Sequence, residues 1–148
     1  MTTTTQQTNP LAFWAGRWTV QDATTGKLVG TSVITAELDG NAVVERWHGA
    51  GGLDGLSLFW FDRIAGTWRQ AWATSLGYAK QKQQVQVDDP LSIRFLGLVT
   101  TPDAVVVRDR TTLTDLQDGR VRQVIETAPV DRDAWDTGFD AIYVPRGE

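Results

Sequence analysis

The sequence predicts an all-β fold: a closed, antiparallel, up-and-down barrel of about ten strands. Three observations carry this reading. Turn signals recur about every ten to fourteen residues, the rhythm of a meander of short strands. They are Thr25-Gly26, Asp39-Gly40, the Gly49–Gly55 cluster, Asp62–Gly66, Leu76-Gly77, Asp88-Asp89-Pro90, Pro102-Asp103 and Asp118-Gly119. Between them lie β-branched and aromatic runs such as Val43-Val44, Leu58-Phe59-Trp60-Phe61, Val105-Val106-Val107 and Val124-Ile125, which suit a pleated, half-buried surface. Finally, every connection is short and no helix-period segment exceeds about two turns. Neighbours in sequence should therefore pair as hairpins, and closing the ring removes both exposed edges.

Taken in order, the first nine residues, Met1 to Asn9, are polar and of low complexity. They read as a disordered tail ahead of one domain over 10–148, and lack the basic and apolar regions of a secretory signal. Asn9-Pro10 sets a capping residue before a proline suited to the first helical position. Leu11, Phe13 and Trp14 then provide one apolar turn, short enough to plug a barrel mouth. Strands are expected over 17–22, 27–37, 42–48, 56–62, 67–74, 79–87, 91–99, 104–115, 120–128 and 139–144. Asp39-Gly40 and Asp118-Gly119 suit tight turns with positive φ. A second helical turn is expected over 131–135.

The 148 residues suffice for one real core. There is no cysteine, which excludes disulfides, thiolate metal sites and cysteine nucleophiles. The single histidine excludes the usual zinc sets, and Asp131-x-Asp133-x-x-Asp136 lacks calcium-loop spacing; no metal or cofactor is expected. No apolar run is long enough to span a membrane as a helix. A net charge of −4 and a pI near 4.9, with Lys and Arg scattered among carboxylates, give no basic footprint for nucleic acid. A cytoplasmic protein is the default expectation. Seven tryptophans are many for this length; most should pack the core, and two or three could line a cavity.

Alternate residues of a strand point to opposite faces. Over 67–74 one parity holds Trp68, Gln70, Trp72 and Thr74; over 42–48 one holds Val43, Glu45 and Trp47; over 120–128 one holds Val121, Gln123, Ile125 and Thr127. Apolar side chains interleaved with amides and a carboxylate are what a semi-polar cavity wall looks like. Strand 56–62 is apolar on both parities. Its outer face should be covered by the N-terminal helix or by a second subunit, so a homodimer is expected.

The order of motifs adds a family resemblance. The chain reads Phe13-x-x-Gly16-x-Trp18, Glu45-Arg46-Trp47, Gly55-Leu56-Ser57-Leu58, Phe61-Asp62, then Gly66-Thr67-Trp68-x-Gln70-x-Trp72. Arg110-Thr111-Thr112, Asp118 to Gln123, Glu126, Trp135, Phe139-Asp140 and Tyr143-x-x-Arg146 follow. From about Leu11 to Arg146 this resembles a bacterial family of small lipocalin-like (calycin) β-barrel proteins, mostly of unknown function. It departs from that pattern at Thr74, where an acidic residue is usual, and over Thr127–Asp133, where a serine and a glycine-rich turn are usual. The resemblance implies a barrel that takes small apolar molecules, or one that works as a cyclase, hydratase or decarboxylase.

The chemistry candidates cluster in Val44-Glu45-Arg46-Trp47-His48-Gly49. His48 could act as an acid, a base or a ligand contact, although a solvent-facing loop histidine is the plainer alternative. Parity puts Glu45 inside with Trp47, and His48 on the other face with Arg46, near the rim. A desolvated Glu45 could be a general acid or base, or a structural ion pair with Arg110, with Gln70 as another partner. Catalytic candidates are thus Glu45 and His48. Ligand-binding candidates are Trp47, Phe59, Trp72 and Tyr143 as apolar walls, with Gln70, Arg110 and Gln123 orienting polar atoms. The leading expectation is a binder of a small, largely apolar or aromatic molecule. The alternative is a cofactor-independent cyclase or isomerase acting on a polyketide-like or unsaturated substrate. The third is a homo-oligomeric interaction module with a filled barrel.

Overall fold

A computed structural model describes residues 9–147. Ten antiparallel strands close into one barrel in the order β1-β10-β9-β8-β7-β6-β5-β4-β3-β2. They are β1 (Gly16–Asp22), β2 (Leu28–Glu37), β3 (Ala42–Gly49), β4 (Asp54–Asp62), β5 (Thr67–Thr74), β6 (Ala79–Val85), β7 (Ser92–Thr100), β8 (Val106–Asp115), β9 (Val121–Pro129) and β10 (Asp136–Pro145). Every strand pairs with its sequence neighbours, and β1 pairs with β10 to complete the ring, Trp18 opposite Pro145 and Asp22 opposite Ala141. The up-and-down topology predicted from turn spacing is the one observed. No helix among the described residues is long and apolar enough to cross a membrane.

The connections behave as their residues dictate. Leu38, Asp39 and Gly40 all have positive φ and form a short 3-10 turn between β2 and β3. Between β8 and β9, Gln117 and Gly119 take positive φ. The expected N-terminal helix is a single 3-10 turn, Ala12–Trp14, with the Leu11 N–H donating to Asn9 Oδ1 at 3.0 Å. The rest of the expected disordered tail, 1–8, lies outside the described residues. The second expected helical turn is absent: 131–135 is irregular chain after a turn at Val130-Asp131. Trp135 is instead drawn under the guanidinium of Arg110, 3.8 Å from the ring centroid.

Strand direction sorts the barrel into two ends. The N-terminal turn seals one of them. Trp14 packs edge-on against Phe59 and Tyr143, with centroids 5.5 and 5.7 Å away, and Phe59 packs against Phe95 at 5.2 Å. Trp18, Val20, Ile34, Val43, Trp68, Leu113 and Val121 complete a continuous buried cluster around them. The expected plug thus seals this end and does not cover the outer face of β4. On that outer face Leu56 and Leu58 are 45% and 41% exposed. The Gly49–Leu53 connection lies at the opposite end, which is open.

One stretch of the wall is thin. The β6–β7 ladder has three pairs, Gln83–Leu96, Gln84–Phe95 and Val85–Arg94, whereas β7 and β8 pair from Ser92–Thr114 to Thr100–Val106. Gly97 lies just beyond the short ladder, and a Cβ there would sit 2.3 Å from the Gln81 carbonyl oxygen and 3.1 Å from Lys82 Cγ. Glycine lets β6 and the Lys82 side chain pass across β7 at this level.

Candidate functional site

The open end holds a cavity of about 330 Å3. Its upper walls are apolar: Trp47, Leu53, Trp72, Ile125 and Phe139. Two glycines make room for the indoles. A Cβ at Gly55 would lie 2.0 Å from the Trp72 ring, and one at Gly30 would lie 2.6 Å from the Trp47 ring. Register explains the pairing, since Gly55 stands opposite both Trp47 on β3 and Thr74 on β5, beside Trp72. Phe139 meets Trp47 edge-on at 6.1 Å.

Deeper in the cavity the lining turns polar, with Glu45 at its centre. The side chain is buried, and all of its partners are hydroxyls. Ser32 Oγ donates to Oε2 at 2.8 Å, Tyr143 Oη donates to the same oxygen at 2.9 Å, and Ser57 Oγ approaches Oε1 at 3.5 Å. Gln123 Nε2 donates to Tyr143 Oη at 3.3 Å. Among the described residues no cation pairs with the carboxylate, and desolvation raises the Glu45 pKa against the opposing pull of these three hydroxyls. Burial, and next the neighbouring Glu45, push the Tyr143 phenol well above its ordinary range. A carboxylic acid that keeps its proton in a cavity can donate a hydrogen bond or a proton to a bound molecule.

A second polar group occupies the β6–β8 side. Lys80 Nζ donates to Asp109 Oδ2 at 2.6 Å, and Lys82 Nζ lies 2.5 Å from Oδ1. The Lys82 contact is off the hydrogen-bond axis, leaving Oδ1 without an aligned donor; the aligned bond from Lys82 goes to Thr111 Oγ1 at 2.7 Å. Lys82 and Asp109 side chains are 3% and 1% exposed, while Lys80 is 34% exposed. Burial lowers the Lys82 pKa, opposed by Asp109 and reinforced by Lys80. Gln70 also lines the cavity, and its Oε1 is buried with no partner among the described residues.

Of the residues singled out from sequence, Glu45, Trp47, Gln70, Trp72, Gln123 and Tyr143 line this cavity together. Tyr143 contributes its hydroxyl there, while its ring belongs to the packed end. Three expectations need correction. Phe59 is wholly buried among Trp14 and Phe95, below the cavity. Arg110 faces outward, because its neighbours Asp109 and Thr111 hold the inward parity. It bonds Glu126 at 2.9 Å instead of Glu45. His48 is exposed, with its ring against Asp54 at the rim, so it shares no contact with Glu45. Because one end is packed and the other hollow, the barrel is not filled throughout. Lys80, Lys82, Asp109 and Thr111 were not apparent from sequence. Ala79-Lys80-Gln81-Lys82-Gln83-Gln84-Val85 is polar on both parities and reads as a solvated strand. Among the described residues no group of three or more His, Asp or Glu side chains is arranged to hold a metal ion.

No family model matches the chain, and no curated protein matches it significantly.

Proposed function

We propose that this chain binds a small, largely apolar or aromatic molecule inside the barrel. The observation that carries the reading is the cavity: about 330 Å3 at one end of an otherwise packed ring, apolar near its mouth and polar at depth. Small-molecule sites combine these features, with volumes of about 300–1,000 Å3. Trp47 and Trp72 supply flat apolar surface, and Gln70 and Gln123 supply amides to orient polar atoms. The resemblance to lipocalin-like barrels agrees with this reading. Two cavity indoles make tryptophan fluorescence a direct probe. Saturable quenching by members of a panel of aromatic and hydrophobic compounds is expected, with a retained molecule in native mass spectra of freshly purified protein. Failure of every compound to quench would refute it.

One observation favours a second reading, a cofactor-independent cyclase or isomerase. Glu45 holds its proton more tightly than an ordinary carboxyl and faces the cavity, as a general acid would. The cavity would fold a flexible unsaturated substrate and supply proximity. Glu45→Gln should then abolish turnover with little change in affinity, and unchanged turnover would rule out that acid. The uncovered Leu56 and Leu58 support a further proposal, that the outer face of β4 joins a second copy of the chain.

A further inference from the structure

The charged groups in the cavity do not balance by contact. Lys80 and Lys82 both reach one carboxylate, Asp109. The other carboxyl, Glu45, bonds only hydroxyls among the described residues. Two lysines therefore converge on one carboxylate in the barrel wall beside the cavity, so Lys80, a third exposed, shares with Lys82 its only acidic partner among the described residues. Asp109 is buried behind the two lysines, Oδ2 accepting from Lys80 and Oδ1 lying in ion-pair contact with Lys82. Lys80, the more exposed of the pair, lines the cavity and has further N–H groups to donate.

We infer that the ligand carries one acidic group, a carboxylate, sulfonate or comparable monoanion, seated against Lys80 and Lys82 on the β6 side, with its apolar body between Trp47 and Trp72. The inference rests on the binding reading above and narrows it to amphipathic monoanions. Gln70 Oε1, buried without a partner on the neighbouring strand, would accept a hydrogen bond from a donor on the same molecule.

Two probes of one shape test it: 1-anilinonaphthalene-8-sulfonate and the uncharged N-phenyl-1-naphthylamine, both titrated by fluorescence. A charge-assisted hydrogen bond contributes about 1.5–3 kcal/mol, so the wild-type protein should prefer the sulfonate at least about tenfold. In Lys80→Met the ratio should collapse towards about one, and Lys80→Arg should restore much of it. Lys80→Met keeps the buried Lys82–Asp109 contact, so its fold should survive, checked by circular dichroism. A wild-type ratio near one, with saturable binding of the neutral probe, overturns the inference and leaves the cavity reading standing. A preference for the sulfonate that survives Lys80→Met also overturns it, because the anion then sits elsewhere. Binding of neither probe overturns the cavity reading beneath it.

Discussion

Replacing Glu45 with glutamine should change how the stability of this protein depends on pH. In the fold the carboxyl is buried against Ser32, Ser57 and Tyr143, and burial raises its pKa above the ordinary value of 4.5. Between 4.5 and the raised folded pKa, the folded state therefore holds a proton that the unfolded chain has released. Stability changes with pH as the difference in bound protons, so in this window the fold weakens as pH rises. The contribution is fully present below the unfolded pKa and is lost as pH rises through the folded one. One proton corresponds to a slope of at most about 1.4 kcal/mol per pH unit. Glutamine has the same shape and can still accept from Ser32 and Tyr143, but it does not titrate. The difference in unfolding free energy between wild type and Glu45→Gln should therefore move in favour of the variant as pH rises from 5. The aspartates with lowered pKa, Asp22, Asp62, Asp89 and Asp118, give the opposite slope at more acidic pH and cancel in the comparison. Urea unfolding at half-unit intervals from pH 5 to 8 measures the difference, and each kcal/mol would also appear as about 2–4 °C in Tm. Parallel profiles for the two proteins would refute the assignment of an uncompensated buried carboxyl.

Gly55→Ala should displace the Trp72 indole, destabilise the fold by about 1–3 kcal/mol and weaken probe binding, whereas Gly51→Ala, with open space around it, should be silent in stability; urea titrations and fluorescence compare them. His48→Ala should leave stability within about 0.5 kcal/mol and leave cavity binding unchanged in the same titrations, since the ring is exposed at the rim. If the outer face of β4 joins two copies, light scattering should give a dimer mass for wild type and a monomer mass for Leu56→Lys together with Leu58→Lys. A wild-type monomer at micromolar concentration would end that proposal.

The barrel was legible because its signals are local. Turn residues at a regular spacing delimit strands, and period-two alternation assigns faces, so Glu45 with Trp47 and Gln70 with Trp72 could be turned inward from the chain alone. Charge alone suggests Arg110 as a partner for Glu45, but parity turns it outward; Asp109 and Thr111, one residue away on either side, are the buried ones. The remaining features are long-range. Tyr143 and Glu45 meet across the barrel, 98 residues apart. Lys82 reaches Asp109 and Thr111 past an intervening strand, and nothing in a lysine- and glutamine-rich stretch announces which of its faces is dry. Phe59 turned inward as its parity allowed, but depth along the barrel, set by the Trp14 plug, decided that it joined the packed core.

The short β6–β7 ladder gives the lysine pair a mechanical meaning as well. Where backbone hydrogen bonds between these strands stop, after Gln83–Leu96, the next ties spanning the gap are Lys82 to Thr111 and both lysines to Asp109, reaching over Gly97 to β8. That part of the ring is fastened by a side-chain clasp. An anion that draws Lys80 away from Asp109 would loosen this fastening, and occupancy of the cavity would then be coupled to the tightness of its wall through the same two lysines.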